Sequence, residues 1–493
     1  VSTQFEAVIG LEVHVQLATD SKIFCGCRAR FPGGKSVADV DANSATCPVC
    51  TGQPGSLPVL NKKVVQFAVK AGLATNCQIS FKSIFARKNY FYPDLPKGYQ
   101  ISQLEKPICE HGFLNIETSR GAKKVNIQRI HMEEDAGKNV HMSGYSLVNL
   151  NRAGVPLCEV VSGPDMSSAE EAGAYLRALY AVVTYLGICD GNLQEGNFRC
   201  DANVSVMPQG SKTLGTRAEI KNVNSFRFVE KAIDYEIARQ IEVIGSGGKV
   251  VLETRLYDSA KNMTFSMRSK EEAQDYRYFP DPDLMPVCLT EKEVEEVRKT
   301  LPELPEQKRA RFVSDFGLSA YDALSLTNSK SIALFFESVM RLTSKQGLEP
   351  KAAAKASANL ILGELTRLLN MNEDGIEIDQ SKVTAEHFSE LVNANLKAVV
   401  SSTGAKQILV SIWKTGDSVD VIIEREGLKQ LSDLSSFEPA IDRIIAANPA
   451  QAAEYRAGKE KLIGFFVGQV MKTTTGKANP ALLQELIKKK LQN

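Results

Sequence analysis

The stretch Gly10-Leu11-Glu12-Val13-His14-Val15-Gln16-Leu17 alternates apolar and polar side chains, the period-two pattern of a half-buried strand. Glu12 and His14 therefore share one face. A second stretch, His131-Met132-Glu133-Glu134-Asp135-Ala136-Gly137-Lys138, sets an imidazole and three carboxylates side by side, ahead of a glycine turn and a cation. So many like charges repel unless a cation or a proton compensates them, which makes this stretch a metal-site candidate. Strand alternation puts Glu133 and Glu134 on opposite faces, so both reach one site only if a bulge intervenes, and a bulge is expected near Ala136-Gly137.

The same alternation recurs downstream. In Cys200 to Val206, Asp201, Asn203 and Ser205 lie on one face and Ala202, Val204 and Val206 on the other, and Thr216 to Lys221 alternates again after the turn-rich Pro208-Gln209-Gly210-Ser211. The two read as a hairpin whose outward face carries Asp201, Asn203, Glu219 and Lys221. Taken alone, that row is as well explained by a wet sheet face as by a metal site. Ser168 and Glu171 fit a capping box, and Tyr175, Leu176, Leu179 and Val183 continue an amphipathic packing helix that stops at Gly187. A second helix is expected after Asn224-Ser225, ending at Gly245. The following Ser246-Gly247-Gly248-Lys249 lacks phosphate-loop spacing and reads as a plain loop. Thr290 and Glu293 suggest another cap, and the pattern beyond it is helical to about Asn372, broken at Pro302 and Pro305. From Thr384 onward it is helical and lysine-rich, with a Thr473-Thr474-Thr475-Gly476 linker and late cations at Lys472, Lys477, Lys488, Lys489 and Lys490. Such an end suits either a solvated face or a module gripping a phosphate backbone.

Bulk properties narrow the class. A chain of 493 residues allows two to four domains with full cores. Fifty-nine lysines and arginines against 58 aspartates and glutamates give a net charge of +1, so nucleic-acid or membrane binding must come from local patches. No apolar run approaches the roughly 18 residues needed to cross a bilayer, and no secretory pattern is present. A soluble, cytoplasmic protein is expected. All ten cysteines lie at or before Cys288, which marks a domain boundary. Cys25-Gly26-Cys27 and Cys47-Pro48-Val49-Cys50 form two close doublets, the arrangement that suits tetrahedral thiolate coordination of structural zinc. A disulfide-stapled loop or four small buried residues are the alternatives, and disulfides are disfavoured in a cytosolic chain.

Several longer strings resemble those of the B subunits of the bacterial aspartyl/glutamyl-tRNA amidotransferase family (GatB): Ile9 to His14, Arg87-Lys88-Asn89-Tyr90-Phe91-Tyr92-Pro93-Asp94, His131 to Lys138, Asp275-Tyr276-Arg277-Tyr278-Phe279-Pro280 and Gly464 to Lys472. The likeness runs from end to end. It implies an α+β chain: an antiparallel-sheet cradle domain over 1–292 with a four-cysteine zinc loop, an all-helical domain over 293–405 and a YqeY-like helical tail over 406–493 that binds tRNA by shape and backbone contact. The family phosphorylates the side-chain carboxylate of Glu-tRNA(Gln) or Asp-tRNA(Asn) with ATP and then displaces phosphate with ammonia. The ammonia comes from a partner amidase, the A subunit, and the third member of the complex is a small C subunit.

What the resemblance implies for residues is specific. Glu12, His14, Glu133, Glu134, Asp201 and Glu219 are carried over as metal, ATP and ammonia-path residues, with magnesium held by His14, Glu12, Glu133, Asp201 and Glu219 and ammonia handled by Glu134. In the aromatic-basic run, Lys88, Tyr90, Tyr92 and Lys97 either hold phosphates and stack on the terminal adenosine or form a core strand ended by Pro93 and Pro96. Arg217, Lys221 and Arg277 are phosphate-binding candidates. Two other readings compete: a non-catalytic tRNA-binding assembly protein, and a self-contained zinc enzyme in which His14 or His131 completes an open metal position. His111, His141 and His387 read as ordinary histidines.

Overall fold

The opening alternation folds as the strand Phe5–Gln16 (β1), the middle of a nine-stranded sheet. Its companions in chain order are Gln78–Ile79 (β2), Cys109–Thr118 (β3), Gly121–Glu134 (β4), Pro156–Ser162 (β5), Phe198–Pro208 (β6), Ala218–Val223 (β7), Glu253–Asp258 (β8) and Met263–Ser269 (β9). Across the sheet they lie in the order β9-β8-β7-β6-β1-β5-β4-β3-β2. Neighbours are antiparallel except β7 and β8, which are joined through a helix and run parallel. The computed structural model describes residues 4–32, 35–223, 225–269, 275–371, 377–430, 438–473 and 480–492.

Ile9, Leu11, Val13 and Val15 of β1 are buried in one core with the apolar faces of helices Lys62–Ala74 (α1), Ala169–Tyr185 (α2) and Phe226–Gly245 (α3). The opposite face carries Glu12 and His14, as alternation requires. Ser168 caps α2 by accepting the Glu171 N–H at 3.2 Å. The Glu171 carboxylate does not close a capping box: it accepts from Ser167 N–H at 2.6 Å and Lys123 at 2.7 Å. Ser225 caps α3 in the same way, and Thr290 with Glu293 forms a full capping box.

One irregularity decides what the sheet displays. In β4, Val125 and Ile127 are in the core, and so are Ile130 and Met132, although these pairs differ in parity. The register with β5 slips between them: Arg129 opposes Val161 but Ile127 opposes Ser162, leaving Gln128 over. Next door in β3, His111 lies between the Glu110–Arg129 and Gly112–Ile127 pairs with a φ of 54°, so β3 turns over at the same level. A one-residue slip moves every following side chain to the other face. Arg129, His131 and Glu133 thereby emerge beside Glu12 and His14. The bulge expected near Ala136-Gly137 is thus found at Gln128, because parity has to switch before His131. Glu133 and Glu134 remain on opposite faces, and β4 ends at Glu134.

The aromatic-basic run is a hairpin, Ala86–Asn89 paired with Tyr99–Ser102, with Phe279–Pro280 as third strand. Arg87 is spent on structure, 2.9 Å from Asp281 and 2.6 Å from Asp283. The chain forms two compact units, Val1–Pro305 and Glu306–Asn493, with the break in the Pro302–Pro305 connection. The second unit is helical. Its early helices bury Phe312, Phe336, Phe388, Leu391 and Ile408, and helices from Glu438–Ala447 to Pro480–Gln492 enclose a core of Ile441, Tyr455, Phe466, Val470, Leu483, Ile487 and Leu491. Residues 372–376, where the first helical run was expected to end, and 474–479, which hold most of the expected linker and Lys477, lie outside the described residues. Among the described residues no helix is long and apolar enough to cross a membrane. The expected α+β class, a sheet domain followed by helices, is borne out.

Deleting Gln128 removes the parity switch and would drive Arg129, His131 and Glu133 into the core, so this variant is expected to yield no soluble native protein. Gln128→Ala, at an exposed position, should shift stability by no more than about 0.5 kcal/mol. Soluble yield and urea midpoints measure both.

Candidate functional site

Register across three strands builds the centre of the polar face. His14 of β1 opposes Glu159 of β5, which opposes His131 of β4, and Glu133 follows two residues on. His14 Nε2 lies 3.3 Å from Glu159 Oε2 and 3.6 Å from Glu133 Oε1. His131 Nε2 lies 3.3 Å from the same Glu159 oxygen and 3.7 Å from Glu133 Oε2. His131, Glu133 and Glu159 are buried. Burial works against the charged imidazole of His131, but the Glu159 charge and hydrogen bonds to both carboxylates outweigh it and raise its pKa to about 9. His14 is raised in the same way. Burial likewise opposes ionisation of Glu159, yet the charges of His131 and His14 and their hydrogen bonds together hold it well below the usual carboxylate range. One donor atom each from His14, Glu133 and Glu159 lies within 4.8 Å of the others, a set that could hold a metal ion. Two carboxylates and one imidazole suit a small divalent cation.

Period-two patterning alone does not single out Glu159. Its signal is a lone carboxylate inside Pro156-Leu157-Cys158-Glu159-Val160-Val161-Ser162, a strand buried throughout, where a single charge needs a partner.

The other acidic candidates on this face stand apart from that cluster. Asn203 donates to Glu12 Oε1 at 3.1 Å. Lys221 sits 2.5 Å from Asp201 and 3.0 Å from Glu219, whose other oxygen accepts from Thr254 at 2.9 Å. Burial, then the charges of Glu159, Glu219 and Asp201, raise the Glu12 pKa. Glu134 is on the opposite side, paired with Lys97 and accepting the Ile101 N–H at 2.9 Å. Arg217 and Glu12 line one cavity of about 390 Å³.

The hairpin brings Lys88 toward the cluster. Burial opposes its charge, but Glu133, Tyr278, Tyr276 and Glu159 together outweigh it and raise its pKa. Its ammonium lies 4.8 Å from the ring centre of Tyr276, which also meets Tyr90 edge-on at 6.0 Å. Tyr90 donates to Gln100 at 3.2 Å. Tyr92 is exposed. Arg277 is exposed with a φ of 43°, and its carbonyl accepts from Asn89 at 2.8 Å. Tyr276, between the two residues of that string that carry charge, makes the contact instead.

The four cysteines of the early doublets converge. Cys25 and Cys50 sulfurs are 3.6 Å apart, Cys47 and Cys50 3.8 Å, and all four lie within 4.8 Å of one another. Four thiolates about 2.3 Å from a tetrahedral zinc sit about 3.8 Å apart, so the spacing suits structural zinc and excludes a disulfide in this geometry. Lys22, fully buried, donates to the Ala45 carbonyl at 2.8 Å and to Cys50 Sγ at 3.3 Å. The Cys25 hydrogen bond and, against burial, the Lys22 charge bring the Cys50 thiol down to about 4.

Because Glu159 supplies the largest push on His131, Glu159→Gln in chelator-treated protein should lower the His131 midpoint from about 9 toward its ordinary value. The sign follows: a raised imidazole pKa stabilises the wild-type fold below about 6.5, and that contribution is lost as pH climbs through about 9. NMR titration of the ring protons reads both.

Likeness to known proteins covers the same elements that build this site. The GatB/GatE catalytic-domain family model matches residues 7–295 and the GatB domain model matches residues 335–491. Curated B subunits of aspartyl/glutamyl-tRNA(Asn/Gln) amidotransferase are 57% identical over 489 residues in Trichlorobacter lovleyi and 55% identical over 493 residues in Geobacter sulfurreducens, each covering 99% of both chains. A third, from Syntrophotalea carbinolica, is 54% identical over 491 residues, again 99% of each chain. On two matched domains and likeness along nearly its whole length, the chain belongs to the family of aspartyl/glutamyl-tRNA(Asn/Gln) amidotransferase B subunits.

Proposed function

We propose that this chain is the part of a tRNA-dependent amidotransferase, a glutamine-hydrolysing carbon-nitrogen ligase, that activates and then amidates the side-chain carboxylate of Glu-tRNA(Gln), Asp-tRNA(Asn) or both. The observation that carries the reading is the cluster of His14, Glu133 and Glu159 on the polar sheet face, in a chain that matches the family end to end. Joining ATP to a carboxylate brings anion against anion, so the site needs divalent cations and positive side chains more than a base. His14, Glu133 and Glu159 would hold magnesium, which when bound neutralises the phosphates and polarises the transferred phosphoryl group. His131, ion-paired to both carboxylates, keeps them oriented.

Lys88 and Lys221 flank the cluster and meet the charge that builds on the phosphoryl oxygens. The substrate carboxylate oxygen attacks the terminal phosphorus and ADP leaves. Ammonia then adds to the acyl carbon, inorganic phosphate departs, and the surplus proton passes to a carboxylate. Glu12 carries its proton most readily, being raised by burial and its acidic neighbours. Glu134, paired with Lys97 on the far side of β4, would lie on the approach of ammonia rather than at the phosphoryl centre.

As a member of a B-subunit family, the chain works with partner proteins, which we take to be an amidase, the A subunit, that frees ammonia from glutamine, together with a small C subunit. Zinc on Cys25, Cys27, Cys47 and Cys50 would be structural, since four thiolates leave no open position. This also argues against a self-contained zinc enzyme. The segments 293–405 and 406–493 would form a helical connector and a tRNA-binding tail. Lys488 and Lys489 are exposed on the last helix, while Lys490 is engaged with Asp442 at 2.8 Å.

In the assembled enzyme, Glu133→Gln should slow Glu-tRNA-dependent ATP cleavage about 10²- to 10³-fold while leaving tRNA affinity unchanged. Unaltered ATP cleavage in this variant and in Glu12→Gln would favour a non-catalytic assembly protein. Cys47→Ser should lower zinc content from one ion per chain, read by atomic emission, and reduce the melting temperature without removing ATP cleavage.

A further inference from the structure

On the helix-covered side of the sheet, α1 and the helix Glu291–Arg298 border a cavity of about 590 Å³. Its floor is apolar: half-buried Leu60, Leu289 and Val297 open onto it, and Val59, next to Leu60 in the chain, is exposed. The two rims carry opposite charge. Lys62, Lys63 and Lys70 line the α1 side, Glu293 and Glu296 the other. Lys62 and Glu293 are near enough for their charges to attract, and Glu293 also closes the Thr290 capping box. Lys63 holds its ammonium 5.0 Å from the ring centre of Phe67. Lys70 is half-buried and meets no carboxylate among the described residues, while burial and the like charge of Lys63 push its pKa down. An ammonium in that setting is stabilised by an incoming anion. Glu296 is exposed and makes no ion pair among the described residues.

We propose that this cleft is a docking groove in which a partner subunit of the assembled enzyme lays an amphipathic helix, its apolar stripe on the floor, its carboxylates toward Lys63 and Lys70 and its cations toward Glu296. An apolar floor inside a charged rim is the build of a protein interface. A helix seated between two others offers charges to both flanks, as in a coiled coil. Because the rims differ in sign, only one of the two directions of the helix satisfies both. A small carboxylate would meet Lys70 but leave the floor and Glu296 facing water. The histidine-carboxylate cluster lies on the other face of the sheet, since α1 packs on the apolar side, so the contact bears on assembly and not on the reaction. This inference rests on the partner assembly proposed above and adds a surface through which it forms.

Cys288 lines the same cleft and is exposed, so alkylation of its thiol reads whether the groove is covered. Iodoacetamide followed by peptide mass spectrometry should label Cys288 freely in the chain alone. In the enzyme assembled with its A and C subunits, labelling should slow about tenfold or more, because the thiol reacts only when the contact opens. Lys63→Glu combined with Lys70→Glu sets like charges against the helix and should weaken assembly about 10- to 100-fold, leaving ATP cleavage at saturating partner concentrations unchanged. Exposed Glu296→Lys should weaken assembly in the same direction. Cys288 that is labelled as fast in the assembled enzyme as in the free chain overturns the proposal, and so does assembly indifferent to the charge reversals. Protection in the free chain that grows with its concentration assigns the groove to a second copy and overturns it too. If the double lysine variant fails to fold, Lys63→Glu alone and Glu296→Lys, both at exposed positions, decide by the same readings. A chain that forms no complex with either subunit would instead sink the partner assignment proposed above, and the groove with it.

Discussion

Two buried glutamates and a buried histidine, joined at 3.3 to 3.7 Å by the half-buried His14, are the arrangement on which this polar sheet face depends. Neither pair is tolerable alone: carboxylates this close repel, and imidazoles this buried lose their protons. Together they neutralise one another, and a divalent cation can take over the role of the imidazole protons. Each group comes from a different strand or a different turn of the register, His14 from β1, Glu159 from β5, His131 and Glu133 from β4. The cluster therefore exists only when three strands are aligned to the residue. Assembly of the site and correct sheet register become one condition.

The apolar face supplies the rigidity that such alignment needs. Ile9, Leu11, Val13 and Val15 pack β1 against three helices, and both neighbours of β1 bear charged residues of the site. A nine-stranded, mostly antiparallel sheet leaves its second face available for polar work. Along that face the charges form a row: Lys221 between Asp201 and Glu219, then Glu12 with Asn203, then the histidine-carboxylate cluster. Positive and negative groups interleave, so the row is stable without a ligand and offers both signs to one. The zinc-type loop is built on the same logic in a different medium. Lys22, buried and donating to the Ala45 carbonyl, lies against thiolates that would carry excess negative charge around a metal.

The two family models match the sheet domain, cysteine loop included, and most of the helical part of the chain. Within the sheet domain, Arg129 has a place that the charge row alone does not explain. The bulge turns it into a cavity, and among the described residues its buried Nε has no hydrogen-bond partner, a state that folding by itself would not favour.

Short-range patterns in the chain already specify the local elements and the chemistry on them. Period-two alternation put Glu12 with His14 and Asp201 with Asn203; the caps at Ser168, Ser225 and Thr290 started their helices; the doublet spacing of the cysteines brought four sulfurs to one centre. The alternation and the caps are properties of a few adjacent residues and need no distant partner, and the cysteine doublets need only each other across one loop. Everything that depends on which strands are neighbours had to wait for the assembled fold. Glu159 joined the cluster because β5 lies between β1 and β4, a fact of pairing that no local pattern encodes. Asp201 and Glu219 stand with Lys221 instead of with His14 for the same reason. The bulge at Gln128 is the sharpest case: the apolar parity changes between Ile127 and Ile130 in the sequence, but which residue is left over is fixed only where Val161 and Ser162 on the neighbouring strand count the residues opposite them.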